Sequence, residues 1–168
     1  GVYDDIRGVG FAGKLLVQVV AASLAILSGL RLEYLSLPFV GSLPLGVFGP
    51  PLTLLWLVGI TNAVNLLDGL DGLAAGVSAV VAATMFVIGV HYQDQIVVVT
   101  GLALFFACLG FLRYNFHPAS IFMGDTGSLF LGFLLACMSL RVLQHHATDV
   151  TPVSLLVAVV TLGVPIMD

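Results

Sequence analysis

What most constrains this chain is a rhythm of long apolar runs. Five stretches, roughly 12–30, 50–66, 73–90, 96–113 and 128–144, each approach the length that crosses lipid, and a sixth, 152–167, is somewhat shorter. A bilayer core takes about 20 mostly apolar residues per helix, with a range of about 17–25. The runs lack period-two alternation and are rich in Leu and Ala, so they read as helices and strands are not expected to span. Composition agrees. The chain is 60% hydrophobic and 8% charged, with a mean hydropathy of +1.15, where a soluble domain carries about 25% charged residues. A soluble fold of 168 residues with so few charges would not stay dispersed. The expected fold is all-α: a polytopic membrane bundle of five to six transmembrane helices.

The formal net charge is −4 and no Lys/Arg cluster occurs, which excludes a nucleic-acid surface. Cys108 and Cys137 lie in apolar runs without metal-type spacing and read as buried thiols. No linker, low-complexity tract or clear repeat divides the chain. It begins with Gly and stops inside an apolar run, so residues 1–168 read as the central part of one multi-span domain, truncated at both ends.

Each span reverses the side of the membrane, so alternate polar interruptions share a face. Asp4 and Asp5, then Asn65, Asp68 and Asp71, then Asn115 and Asp125, then Asp168 fall together. Glu33, Asp94 and Asp149 fall on the other face, with no repeated acidic spacing. Arg7, Lys14 and Arg113 against Arg31 and Arg141 make the motif face the cytoplasmic one. The Pro/Gly-rich segment 38–51 is then an outer loop, with room for a short hairpin.

Carboxylates at membrane helix ends are costly unless they meet water, a metal or a cation, so several on one face mark a candidate site. In "NLLDGLDG" a helical continuation places Asn65, Asp68 and Asp71 along one side. The bland alternative is a polar helix end among the headgroups. "DGLDG" lacks the ligand ladder of a calcium loop. Asp4 and Asp5 are adjacent, about 100° apart on a helix, so one can face a metal or phosphate while the other faces a second partner; as plain N-terminal helix charges they would also be favourable. "FMGDTGS" puts Asp125 between glycines and hydroxyls at the start of a span, which suits phosphate binding, metal holding or simple capping. Lys14 either snorkels to headgroups or meets an anionic substrate. His117 is on the motif side, where a phosphate or headgroup contact competes with no role, while His145 and His146 lie on the other. "GVGFAG" at 8–13 matches a dinucleotide fingerprint formally, but no strand precedes it. Gly72, Gly76 and Ala79 suit helix packing within or between subunits, so a homodimer is open.

Three motifs in order, "DD" ahead of "GKLLVQ", "NAVNLLDGLDGLAAG" and "NFHPASIFMGDTGSLFLG", closely resemble those of the polyprenyl-phosphate N-acetylhexosamine-1-phosphate transferases. The likeness runs along nearly the whole chain. It implies a larger all-helical fold in the bacterial inner membrane with a cytoplasmic active site. It further implies transfer of a sugar 1-phosphate from a UDP-N-acetylhexosamine to polyprenyl (undecaprenyl) phosphate among membrane lipids, with UMP released and Mg²⁺ required or Mn²⁺ in its place. By the same likeness Asp4, Asp5 and Asp125 are catalytic, with Asp5 and Asp125 on the metal, and Lys14, Asn65, Asp68, Asp71 and Asn115 bind substrate. Two departures stand out: the family's downstream His-rich loop is not within these residues, and "DDIRG" has no third acid nearby. Leu67, before Asp68, resembles the enzymes that use UDP-GlcNAc more than the phospho-N-acetylmuramoyl-pentapeptide transferases. An ion- or proton-coupled transporter is the competing class, and it requires carboxylates at mid-span.

Overall fold

The computed structural model describes residues 10–37 and 41–145. Asp4, Asp5, the sixth expected span, Asp149 and Asp168 lie outside them. Five helices follow in order: α1 Phe11–Leu27, α2 Gly49–Leu67, α3 Leu73–Tyr92, α4 Gln95–Asn115 and α5 Gly124–His145. The five expected spans are all helical. Four helices, α2 with the short 3₁₀ turn before it and α3 to α5, are long and apolar enough to cross a membrane, whereas α1 has 17 residues. The chain is an all-α integral membrane bundle.

Local chemistry sets the ends. Gly29, at φ +99°, closes α1 three residues before the expected boundary. The Leu30 N–H bonds the Ala25 carbonyl and the Gly29 N–H bonds that of Ile26, a Schellman ending. Pro50 and Pro51 open α2, where their missing N–H groups cost nothing. Asp94 caps α4 by accepting from the N–H groups of Ile96 at 3.0 Å and Val97 at 3.2 Å. The only strands among the described residues are β1 Tyr34–Leu37 and β2 Gly41–Pro44, an antiparallel pair with Tyr34 opposite Pro44. This hairpin begins a little before the loop in which one was anticipated.

The core forms around α5, which has two packing stripes. Leu131, Leu135, Met138 and Val142 join α3 and α4, while Ala136 and Leu140 join α1 and α2. The first set has the i, i+4, i+7, i+11 spacing of one helix face. Close approach depends on glycines that the sequence reading passed over. A Cβ on Gly101 would sit 3.0 Å from the Ala82 carbonyl oxygen, and one on Gly89 2.9 Å from the Val98 nitrogen. Gly76, by contrast, has nothing within 4 Å of a Cβ built on it in this chain.

The alternation of sides appears in the contacts. Lys14 meets Asp125, and Asn115 meets Gly72, at one end of the bundle. At the other end Arg141 Nε bonds Asp94 at 2.7 Å and Gln144 bonds the Gly29 carbonyl at 2.9 Å. Burial pushes the Asp94 carboxyl up, but Arg141 and the two capping N–H groups outweigh it and hold the group below the usual carboxylate range. In a background with both native cysteines changed to Ser, cysteines at exposed Leu70 and Gln93 are therefore expected to react with an impermeant maleimide from opposite sides of the membrane. Labelling of both from one side would refute this topology.

Candidate active site

The motif end is assembled by four chain segments. From α1 comes Lys14, whose ammonium forms an ion pair with Asp125 Oδ2. From the last turn of α2, Asn65 Nδ2 donates to Asp125 Oδ1 at 2.9 Å and to Ser128 Oγ at 2.8 Å. From the first turn of α5 come Asp125 and Ser128, the latter fully buried and donating to the Gly124 carbonyl. From the turn after α2 comes Asp68, which accepts a hydrogen bond from the Gly124 N–H. Lys14 and Asp125 lie 111 positions apart in sequence, and the folding of the spans alone brings them together.

The electrostatics of Asp68 are those of a crowded carboxylate. Burial pushes its pKa up, the Gly124 N–H draws it down, and the Asp125 carboxylate raises it again, leaving it above the ordinary value. A cation placed between the two acids would relieve both burial and repulsion. Hard oxygen donors of this kind suit Mg²⁺, which takes one or two carboxylates and completes its shell with water and phosphate. Among the described residues no group of three or more His, Cys, Asp or Glu could hold a metal. Asp68 and Asp125 are the described carboxylates at this end that could contribute to such an ion, and they do not form a closed protein cage.

Asn65, Asp68 and Asp71 do not share one helix side as expected. The helix stops at Leu67, Asp68 takes the C-cap, and Gly72 turns the chain at φ +73°. Consequently Asn65 and Asp68 face Asp125, while Asp71 leaves for the loop after α4. There Asp71 Oδ2 accepts from the Ala119 N–H at 3.0 Å and contacts His117 Nδ1 at 3.0 Å. These partners, the backbone N–H first and the ring second, hold Asp71 below the usual carboxylate range. Asn115 is 3% exposed. Its Oδ1 accepts from the Gly72 N–H at 3.1 Å and its Nδ2 donates to the Ile121 carbonyl at 2.9 Å. Asn115 thus ties two loops to each other through their backbones. His117 is paired across the same two loops.

Residues that sequence reasoning missed lie deeper. Trp56 Nε1 donates to Ser139 Oγ at 2.9 Å, joining α2 to α5. Gln18 and Asn62 exchange amide hydrogen bonds between α1 and α2. A polar side chain inside an apolar span was the available signal. Every described carboxylate, Glu33, Asp68, Asp71, Asp94 and Asp125, lies in a loop or in the first turn of a helix. That placement lacks the mid-span carboxylate a transporter reading requires.

The sequence profile described as Glycosyl transferase family 4 matches residues 1–143. A Bacillus subtilis (strain 168) protein named "Probable undecaprenyl-phosphate N-acetylglucosaminyl 1-phosphate transferase" is 44% identical over 169 aligned residues, covering 100% of this chain and 46% of that protein. The phospho-N-acetylmuramoyl-pentapeptide-transferase of Synechococcus sp. (strain JA-3-3Ab) is 46% identical over 138 residues, 80% of this chain and 39% of that protein. The Enterococcus hirae protein of the same name is 44% identical over 140 residues, 82% of this chain and 44% of its own length. The chain thus spans somewhat under half the length of these relatives.

Proposed function

The chain belongs to glycosyl transferase family 4, and on that footing we propose that it carries the reaction centre of a Mg²⁺-dependent N-acetylglucosamine-1-phosphate transferase. The donor is UDP-N-acetylglucosamine, the acceptor is polyprenyl phosphate, undecaprenyl phosphate in a bacterium, and UMP leaves. The observation that carries this reading is the convergence of Lys14 and Asn65 on Asp125, with Asp68 beside it, at one end of the bundle.

Both reactants are anionic phosphates, so their approach needs positive charge. Lys14 supplies one fixed charge at the level where the lipid phosphate meets water. Asp125 and Asp68, with Asp5 outside the described residues, are the groups that would hold Mg²⁺. When bound, that ion would offset the repulsion and stabilise charge on the departing UMP. Asn65 fixes the Asp125 carboxylate from one side and is itself anchored to Ser128. The acceptor phosphate is largely ionised near neutral pH, so little is asked of a general base. Asp4 and Asp5 are assigned to the acceptor phosphate by motif alone.

Leu67 before Asp68 favours N-acetylglucosamine over the muramoyl-pentapeptide donor. So does the coverage of the Bacillus subtilis relative, which extends over all of this chain while the other two reach 80% and 82% of it. UDP-sugars are cytoplasmic metabolites, so the motif end faces the cytoplasm of a bacterial inner membrane, and the Leu70 cysteine described above reacts only in inside-out vesicles.

The test is the intact membrane-embedded protein supplied with radiolabelled UDP-GlcNAc and undecaprenyl phosphate. UMP release together with labelled lipid is expected, lost on chelation and restored by Mg²⁺ or, in part, Mn²⁺. Release only with UDP-MurNAc-pentapeptide would reassign the donor. Release with neither would overturn the transferase reading.

A further inference from the structure

About one turn deeper in the bilayer than Lys14 and Asn65, α1 and α2 are joined by two amide side chains. Gln18 Nε2 donates to Asn62 Oδ1 at 3.3 Å, and Asn62 Nδ2 donates back to Gln18 Oε1 at 2.6 Å. The same Nδ2 also reaches the Val58 carbonyl at 2.7 Å. Gln18 follows Lys14 by four residues and Asn62 precedes Asn65 by three, so each amide shares a helix face with a residue that converges on Asp125.

Among the described residues, the other ties on α1 lie at its two ends, in the Lys14–Asp125 ion pair and the Gln144 bond to the Gly29 carbonyl, and in small-residue packing at Ala22 and Ala25. The buried residues of α1 are Gln18 and Ala22, whereas Phe11, Leu16, Val17, Val20, Leu24 and Leu27 are all exposed. Between apolar helices in lipid the hydrophobic effect supplies no register. A contact through alanine lets helices slide and turn against each other. A reciprocal amide pair does not, because any shift strands polar atoms in hydrocarbon.

We propose that Gln18 and Asn62 are positioning residues, whose amide pair sets the register and rotation of α1 on α2 and thereby holds the Lys14 ammonium at the Asp125 carboxylate. The consequence for turnover rests on the transferase reading above; the consequence for Lys14 does not.

Lys14 is the one lysine in the sequence, so acylation by an amine-reactive reagent, read by mass spectrometry of the membrane-embedded protein, reports on it directly. Gln18→Leu and Asn62→Leu are each expected to speed Lys14 acylation roughly fivefold, the change that loss of one interhelical hydrogen bond produces. The exchanged pair, Gln18→Asn with Asn62→Gln, keeps the combined reach and returns the rate to that of the unaltered protein. Trp56→Phe removes a hydrogen bond between α2 and α5 and serves as the packing control, with Lys14 acylation unchanged. In the transfer assay Gln18→Leu raises KM for UDP-GlcNAc more than it lowers kcat, a split that simple loss of folded protein does not give. Unaltered acylation in Gln18→Leu, an equal rise in Trp56→Phe, or failure of the exchanged pair to restore the rate would overturn the positioning role. Faster acylation with an unmoved KM would uphold it and instead remove Lys14 from the donor site.

Discussion

Asp125→Asn is expected to lower UMP release at least a thousandfold while the protein remains inserted and folded. The exchange is nearly isosteric. The new amide oxygen can still accept from Asn65 Nδ2, which now makes a 2.9 Å bond, so the seam between α2 and α5 persists. What disappears is the negative charge. Lys14 loses its ion pair with Asp125, and a divalent cation loses one of the two described carboxylates that would hold it. Metal stabilisation of transition-state charge is worth several kcal/mol, and each 1.4 kcal/mol is about a factor of ten. Membrane-fraction yield and melting in detergent should stay close to those of the unaltered protein, because no packed apolar atom is removed. Asp71→Asn makes the comparison. Asp71 holds the Ala119 N–H and His117 rather than Asp125, so its loss should loosen two loops and reduce rate far less. Activity within tenfold in Asp125→Asn would show that Asp125 is not the metal anchor.

The parts of this fold that were legible in the sequence were those set by local chemistry. Span length and apolarity mark α2 to α5 because the bilayer's thickness leaves no other solution for runs of that kind. Alternation of sides then follows from counting crossings, and it correctly places Lys14, Asn65 and Asp68 with Asp125. Two kinds of feature escaped. One was the end of α2: the spacing of Asn65, Asp68 and Asp71 suits a continuing helix, but the glycines at 69 and 72 break it, and Asp71 turns to a different loop. The other was everything that depends on which helix faces which. The Gln18–Asn62 pair, the Trp56–Ser139 bond and the burial of Asn115 between loops are tertiary facts. A single sequence shows only that a polar residue sits in an apolar run, not what meets it. The same holds for Gly132, a glycine among 19 in the sequence.

Gly132 marks a close backbone approach of α2 and α5 near the candidate site. A Cβ built there would lie 2.9 Å from Thr61 Cα, 3.0 Å from Val64 Cβ and 3.1 Å from the Thr61 carbonyl oxygen. Two of those three atoms are backbone, so no side chain can swing aside, and the helices themselves must part. The two helices run antiparallel. Asn65 meets Ser128 about one turn to the motif side of this contact, and Trp56 meets Ser139 about two turns to the other. A wedge at Gly132 therefore opens the nearer contact first. Gly132→Val should lower the melting temperature by several degrees, consistent with an overpacking cost of about 1–3 kcal/mol. It should also reduce turnover about a hundredfold, because misplacement by 1 Å at a reacting centre costs that much, and Asn65 would no longer hold Asp125. Gly132→Ala should show the same two effects in smaller measure. Gly110→Ala is the control: nothing lies within 4 Å of a Cβ at that position, so both melting and turnover should stay unchanged. If Gly132→Val melts lower but turns over normally, the approach of α2 to α5 supports the fold without setting the geometry of Asp125.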